Sequence, residues 1–169
     1  MQALRAQRGT AARALELLIL TASRTHVVLA ATWAEIDFEK RLWTVLAARM
    51  KTAREHRIPL SARALTILTA MDKQRENDYV FPGRGRSGHL SVLGAPLKWM
   101  QRTDITVHGF RSTFRDWAAE TTNHPSEVAE MALAHAVGDK VEAAYRRGDL
   151  MEKRRQFMDD WARYCAKER

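Results

Sequence analysis

The sequence predicts a mainly α-helical fold with a small antiparallel β-sheet of about three strands. Stretches rich in strong helix formers occupy both ends of the chain. Between them, two short runs with β-branched and aromatic residues, 42–46 and 56–60, are separated by a basic turn. With 169 residues, 46% of them apolar, the chain can bury one sizeable core. A single domain spanning residues 1–169 is therefore the simplest organisation.

The first predicted element is a buried helix over residues 13–23, because almost every residue in that stretch is apolar and a good helix former. This helix leads directly into Arg24. A second, short helix is expected from Thr25 to about Trp33. These two helices would form one side of the core.

The runs 42–46 and 56–60 predict a hairpin with Lys51 near its tip. Pro59 has no N–H to donate, so we expect it at a sheet edge or at the end of its strand. Residues 79–82, Tyr-Val-Phe-Pro, are expected to form the third short strand.

Helices account for most of the remaining chain. Ser61 is a typical N-cap for a helix that runs to Arg75 and buries one face. Residues 83–88 combine glycine and arginine, a composition that favours a mobile basic loop. The segment is not a phosphate-binding P-loop, because it lacks the Gly-Lys-Ser/Thr that ends that motif. The helices expected after this loop are residues 91–102, 108–122, 125–135, 140–147 and 149–166.

The charge balance favours a polyanionic partner. The chain has 28 Lys and Arg against 20 Asp and Glu, a net charge of +8. Each cationic side chain that binds a nucleic-acid phosphate releases condensed counterions. A merely basic domain without a nucleic-acid partner is the alternative that charge alone leaves open.

The single cysteine, Cys165, excludes an internal disulfide and a cysteine-built zinc site, so a reducing cytoplasm is the expected compartment. The apolar stretch from Ala14 to Ser23 contains Glu16 and is about half as long as a membrane span requires. We therefore expect no membrane partner. Neither a metal site nor a cofactor site is predicted, since the usual motifs are missing.

Six residues carry the chemistry that the sequence predicts. Two arginines with a lysine and histidines can neutralise and protonate a phosphodiester, and a tyrosine beyond them can attack the phosphorus. His108 and Arg111 are three positions apart at the start of a predicted helix, so both side chains lie on the same face of it. The candidate catalytic residues are Arg24, Lys51, His108, Arg111, His135 and Tyr145.

Structural roles compete with these functional ones. Arg24 is also typical of a helix-end arginine paired with a local carboxylate, and Lys51 of a solvated lysine in a basic turn. His135 follows a helix, where the dipole favours an imidazolium. Tyr79 and Tyr164 compete with Tyr145 as nucleophile, but only Tyr145 is followed by two arginines.

Two segments carry a family resemblance that runs from about residue 12 to residue 165. Residues 50–60 read Met-Lys-Thr-Ala-Arg-Glu-His-Arg-Ile-Pro-Leu, and residues 106–117 read Thr-Val-His-Gly-Phe-Arg-Ser-Thr-Phe-Arg-Asp-Trp. With the order of the six candidates, they resemble the catalytic domain of tyrosine recombinases, the phage integrase family, in its prophage and genomic-island branch. The resemblance implies the DNA breaking-rejoining fold and site-specific recombination or integration of double-stranded DNA at attachment sites.

The resemblance also implies a role for each candidate. Arg24 and Arg111 would clamp the scissile phosphate, and Lys51 would protonate the leaving 5′-oxygen. His108 would shuttle a proton or donate a hydrogen bond, and His135 would donate one to the phosphate. Tyr145 would form a 3′-phosphotyrosyl intermediate that conserves the energy of the broken bond, so neither ATP nor a metal is required.

Two residues depart from the family pattern, Thr-Gly-x-Arg-x-x-Glu. Ala22 replaces the glycine and would be strained at positive φ. Val27 replaces the acid that in the family helps to orient the catalytic arginines and histidine. Misplaced catalytic groups lose much of the rate that positioning supplies, so we expect impaired cleavage. A catalytically impaired remnant that only binds DNA is thus the alternative function, and a type IB topoisomerase-like relaxing enzyme is a third reading.

The resemblance has further implications for assembly. The N-terminal core-binding and arm-binding domains of the family are expected to be absent from this chain, which predicts weak, strongly salt-dependent DNA binding. We expect a monomer alone and a tetramer on recombining DNA, in a cytoplasmic protein that joins the nucleoid when on DNA. The amphipathic residues 149–169 either fold on their own core or, as the resemblance implies, dock in trans on a neighbour.

Overall fold

The computed structural model describes residues 1–135 and 149–167. The helices are α1 (Gln2–Ala6), α2 (Thr10–Thr21), α3 (Thr25–Leu29), α4 (Ala62–Asp72), α5 (Ala95–Trp99), α6 (Gly109–Thr121), α7 (Ser126–Ala132) and α8 (Met151–Ala166). The strands are β1 (Ile36–Asp37), β2 (Leu42–Val45) and β3 (His56–Pro59), and 3₁₀ turns occupy Trp33–Glu35 and Ala47–Arg49. The predicted mainly helical fold with a three-stranded antiparallel sheet is confirmed.

The hairpin lies where the sequence predicts it. Strands β2 and β3 pair antiparallel, with Trp43 opposite Ile58 and Val45 opposite His56. Trp43 and Ile58 are buried, so this pair fixes the register against the core. Pro59 is the last residue of the edge strand β3, where its missing N–H costs no ladder bond.

The third strand was predicted in the wrong place. It is β1, which pairs with β2 in the order β1-β2-β3. Residues 79–82 form only isolated bridges, Tyr79 with Thr32 and Pro82 with His89. Pro82 has no N–H to donate to a neighbouring strand, so it cannot continue a ladder. The Val80 N–H donates to the Ala31 carbonyl, outside the sheet.

Two predicted helices are shorter than expected. The helix predicted from Thr25 to Trp33 ends at Leu29, because the chain beyond it bonds to residues 78–80. The helix predicted over residues 91–102 spans only α5, which contains Pro96 in its first turn and Gly94 as its N-cap. A proline is tolerated only in the first turn of a helix, so α5 cannot begin much earlier.

The remaining predictions within the described residues agree with the structure to within a few residues. The Ser61 hydroxyl accepts from the Ala64 N–H and caps α4. Helices α2, α6, α7 and α8 match the ranges that the sequence predicts. The helix expected at 140–147 lies outside the described residues.

Helix α2 forms the centre of the core. It contacts α1, α3, α4, α5 and α8, and every residue from Ala14 to Thr21 is buried. Helix α8 packs on this same core through Phe157 and Trp161, and the Trp161 indole donates to the Ile19 carbonyl (2.7 Å). The C-terminal helix therefore folds on its own domain in the single chain. Within the part of the chain that the structure describes, every helix is too short or too polar to span a bilayer.

One carboxylate on α2 is fully buried and is held by three arginines. Glu16 accepts from Arg5 (2.8 Å), Arg13 (3.1 Å) and Arg63 (2.9 Å). Burial alone would raise the pKa of Glu16, but the hydrogen bonds from Arg63 and Arg5 outweigh it and lower the pKa below its ordinary value. The ion cluster ties α1 and α4 to α2 and satisfies a charge that would otherwise be costly to bury.

Two helices end in the same motif, each with an alanine in the left-handed region. At the end of α2, Ala22 has φ 49°, and the N–H groups of Ala22 and Ser23 bond to the Ile19 and Leu18 carbonyls. At the end of α7, Ala134 has φ 52°, and the His135 N–H bonds to the Glu130 carbonyl. Glycine is the usual residue at this position of a Schellman motif. The strain expected at Ala22 is therefore present.

His56 is half-buried at the start of β3, near the backbone of Ala132 at the end of α7. Burial, together with the positive charges of Arg154, Arg111 and Arg24, lowers its pKa to about 3. The imidazole is therefore neutral in the folded protein and adds no charge to a region already rich in arginine.

The first prediction concerns Ala22. Ala22→Gly should raise the free energy of unfolding by about 1 kcal/mol, because glycine adopts positive φ without the Cβ clash. Ala70→Gly, in the exposed interior of α4, is the matched control and should lower it by about 1 kcal/mol. Urea unfolding measures both, and destabilisation by both changes alike would contradict the strain at Ala22.

The second prediction concerns His56. Its folded pKa lies below the unfolded value of about 6.5, so the unfolded chain binds the extra proton and stability falls as pH falls from about 6.5 towards 3. Between pH 7 and 5 this group should remove about 2 kcal/mol. His56→Gln, which keeps a polar side chain but cannot titrate, should lose that much less over the same interval. Equal losses in both proteins would show that His56 does not titrate in this way.

Candidate active site

Arg111 lies at the centre of the group of predicted catalytic residues. It is on α6, only 8% exposed, and its guanidinium joins two helix ends: Nη1 donates to the Ala22 carbonyl after α2, and Nη2 donates to the Leu133 carbonyl after α7 (2.8 Å). A cation is favoured at helix C-termini, where unpaired carbonyls carry partial negative charge. One side chain thus positions the segments that begin at Ser23 and Ala134.

His135 lies in the second of those segments and contacts Arg111. Its Nε2 lies 3.3 Å from Arg111 Nη2, and its Nδ1 lies 2.6 Å from a carboxylate oxygen of Glu130. The other Glu130 oxygen accepts from Arg115 (2.8 Å). Glu130 was missed at the sequence level. Its position five residues before His135, at the end of the same helix, is the signal that could have identified it.

Arg24 is half-buried and is the N-cap of α3, two residues after Ala22. Its charge acts on both Arg111 and His56. Burial and the neighbouring Arg24 lower the pKa of Arg111 to about 10, while Glu130 acts in the opposite direction. The two arginines predicted to clamp a phosphate therefore lie near one another and repel.

Lys51 is exposed in the turn between β2 and β3. His26, in the first turn of α3, is near enough to Arg24 and Lys51 for both charges to act on it. Burial, then Arg24 and Lys51, lower the pKa of His26. His26 therefore lies near two predicted catalytic cations, and its place two residues after Arg24 is the sequence signal for it.

A buried ion pair ties the base of this turn to α3. Arg49 donates to Glu35 through Nη1 and to the Val27 carbonyl through Nη2 (2.7 Å). Glu35 also accepts from the Trp43 indole on β2 (3.1 Å). Since Arg49 is two residues before Lys51, this pair positions the lysine turn relative to Arg24.

Two predicted residues have fewer described contacts. His108 is exposed at the N-cap of α6, and its carbonyl accepts from the Arg111 N–H (3.1 Å), which places it one turn from Arg111. Tyr145 lies outside the described residues. The structure thus groups Arg24, Arg111 and His135, with His108 one turn from Arg111 and Lys51 near His26.

The arrangement suits an anion rather than a metal ion. Cationic groups converge at the ends of α2 and α7, and the described residues contain no group of three or more His, Cys, Asp or Glu that could hold a metal. Buried cations near one another are stabilised by an anionic partner. A phosphate group matches this charge and the hydrogen-bond donors present.

Comparison with known proteins identifies the family. The family model described as "Phage integrase family" matches residues 1–150. The chain is 37% identical over 149 residues to the prophage integrase IntA of Escherichia coli (strain K12), covering 85% of this chain and 36% of that protein. It is 30% identical over 155 residues to the integrase of Shigella phage Sf6, covering 88% and 40%. The chain therefore spans about two fifths of the length of these curated relatives.

Solved structures share the fold. The integrase of mycobacterium phage Brujita superposes with a TM-score of 0.70 at 21% identity, covering 94% of this chain and 54% of that one. The Tn1549 transposon integrase, in complex with a circular intermediate DNA, has a TM-score of 0.56 at 17% identity, covering 81% and 58%. With a matching family model over most of its length and this shared fold, the chain belongs to the phage integrase family, the tyrosine recombinases.

Proposed function

We propose that this chain is the catalytic domain of a site-specific DNA recombinase that integrates or recombines DNA through a 3′-phosphotyrosyl intermediate. The observation that carries the proposal is the buried Arg111 guanidinium, which lies 3.3 Å from the His135 ring and is acted on by the charge of Arg24. Burial, and then Arg24, lower the pKa of Arg111 to about 10. A scissile phosphate between the two guanidiniums would relieve their repulsion and accept hydrogen bonds from both.

The reaction follows from the candidate residues. Tyr145 gives its proton to a base, for which His108 in its proton-shuttling role is the candidate, and its oxygen attacks the phosphorus, forming the phosphotyrosyl bond while the bond to the 5′-oxygen breaks. Lys51 donates a proton to that leaving oxygen, and Arg24, Arg111 and His135 stabilise the charge on the non-bridging oxygens. His108 hydrogen-bonds to the phosphate or shuttles a proton. Attack by a second DNA 5′-hydroxyl reverses the step on a new strand.

The proposed partner is double-stranded DNA at attachment sites. The net charge of +8 favours it, and the Tn1549 integrase of the same fold was solved with a circular intermediate DNA. We propose that the chain by itself is a monomer that binds DNA weakly and that four copies act on recombining DNA. Its proposed compartment is the bacterial cytoplasm, on the nucleoid when DNA-bound.

A second candidate function, a remnant that binds DNA without cleaving it, rests on Val27. This side chain is 2% exposed within the apolar core, so it offers no carboxylate to the arginines. DNA relaxation without strand exchange would instead favour the type IB topoisomerase-like reading.

The third prediction tests the nucleophile. The chain, fused to the N-terminal part of a curated relative, is given that relative's nicked attachment-site duplex, which traps the cleaved state. We expect a denaturant-resistant protein–DNA adduct that Tyr145→Phe abolishes, because the hydroxyl forms the covalent bond. Tyr79→Phe is the matched control and should retain the adduct. An adduct that persists in Tyr145→Phe would exclude Tyr145 as nucleophile.

The fourth prediction separates the two candidate functions. Val27→Glu should raise the cleavage rate, by up to about 100-fold, if an acid at this position orients the clamp. Val27→Gln has the same shape without the charge and should not. Both rates are read from the adduct assay, with circular dichroism as the check on folding. No gain in Val27→Glu over Val27→Gln would show that Val27 does not limit cleavage.

A further inference from the structure

Glu130, on α7, connects His135, which follows that helix, to α6, the helix that carries Arg111. Its Oε2 lies 2.6 Å from His135 Nδ1, its Oε1 lies 2.8 Å from Arg115 Nε, and its backbone carbonyl accepts from the His135 N–H (2.9 Å). Both the backbone and the ring of His135 are therefore fixed by one residue. Arg115 is one turn after Arg111 on α6, so the carboxylate also ties α7 to α6.

These contacts determine which ring nitrogen carries the proton. A carboxylate only accepts hydrogen bonds, so His135 Nδ1 must donate to Glu130. A guanidinium only donates, so His135 Nε2 must accept from Arg111 Nη2, 3.3 Å away. The ring is thus held as the Nδ1–H tautomer, with a lone pair on the side that contacts Arg111.

Glu130 is ionised in this setting. Burial would raise its pKa, but the hydrogen bonds from His135 and Arg115 outweigh burial, so the pKa lies below its ordinary value. Its negative charge acts on Arg111 against the repulsion from Arg24. If His135 donates to a phosphate, Nε2 must first gain a proton, and Glu130 supplies the charge that balances the imidazolium.

We propose that Glu130 is a positioning residue of the catalytic site, which holds His135 in one tautomer and provides the carboxylate that faces Arg111. This inference rests on the proposed function for its effect on cleavage, but the contact itself is independent of that function. Carboxylates that orient a catalytic or metal-binding histidine in this way commonly change activity by about 10- to 100-fold when they are removed.

The test compares Glu130→Ala and Glu130→Gln with Asp160→Asn. Asp160, on α8, is a matched control because its carboxylate makes the same kind of pair with a histidine, 2.7 Å from His124 Nε2. Nitrogen NMR of the histidine-labelled chain reports the tautomer of His135, assigned with His135→Gln. The adduct assay gives the maximal cleavage rate and the DNA concentration at half-saturation, and thermal unfolding reports whether each variant folds.

We expect the Nδ1–H tautomer in the wild type and in Glu130→Gln, whose amide oxygen can still accept, and a shift to Nε2–H in Glu130→Ala. The maximal rate should fall by about 10-fold in Glu130→Gln and about 100-fold in Glu130→Ala, with half-saturation changed less than twofold. Asp160→Asn should retain the wild-type rate.

Two results would overturn the proposal. One is an unchanged tautomer in a folded Glu130→Ala, and the other is a rate in Glu130→Ala equal to that of Asp160→Asn. If the wild type forms no Tyr145-dependent adduct, the proposed function fails instead. The nitrogen spectra then decide by themselves whether Glu130 fixes His135.

Discussion

The architecture of the site depends on one buried cation. Arg111 donates to the Ala22 carbonyl at the end of α2 and to the Leu133 carbonyl at the end of α7, and it contacts the His135 ring. Helix C-termini carry unpaired carbonyls, so a guanidinium can join two of them while it remains charged. Because the chain leaves each helix at these points, Arg111 fixes the starting positions of the segments that carry Arg24 and His135.

The domain repeatedly uses acids to hold arginines in place. Glu16 binds three arginines in the core, Glu35 binds Arg49 beneath the lysine turn, and Glu130 binds Arg115 and His135 beside the site. Arg24 and Arg111 differ from these, since they lie near one another and Glu130 is the acid whose charge acts on Arg111. The local excess of positive charge is what makes this region suited to an anion.

Elements that depend on contacts close in the sequence were predicted correctly, and elements that depend on contacts between distant segments were not. The hairpin was predicted correctly because the runs that pair are close in sequence and their apolar residues face one core. Residues 79–82 looked equally strand-like, yet they pair only through isolated bridges, because Pro82 lacks an N–H and the sheet edge is taken by β1. The helix after Arg24 ended early for a related reason, since its next residues bond to a segment some fifty positions away.

The sequence by itself determined the fold class and most helix positions, because these depend on local propensity and periodicity. The order of the candidate catalytic residues and the strain expected at Ala22 were recognised from the resemblance to the family pattern. Only the tertiary structure decided that Arg111 bridges two helix ends, that His56 is held as a neutral imidazole among arginines, and that the Glu130 carboxylate faces His135. The contacts of Arg111 and His56 join segments far apart in the chain, and their geometry depends on how those segments pack, which no local pattern encodes. Glu130 lies only five residues before His135, but the orientation of its carboxylate also depends on Arg115, on α6.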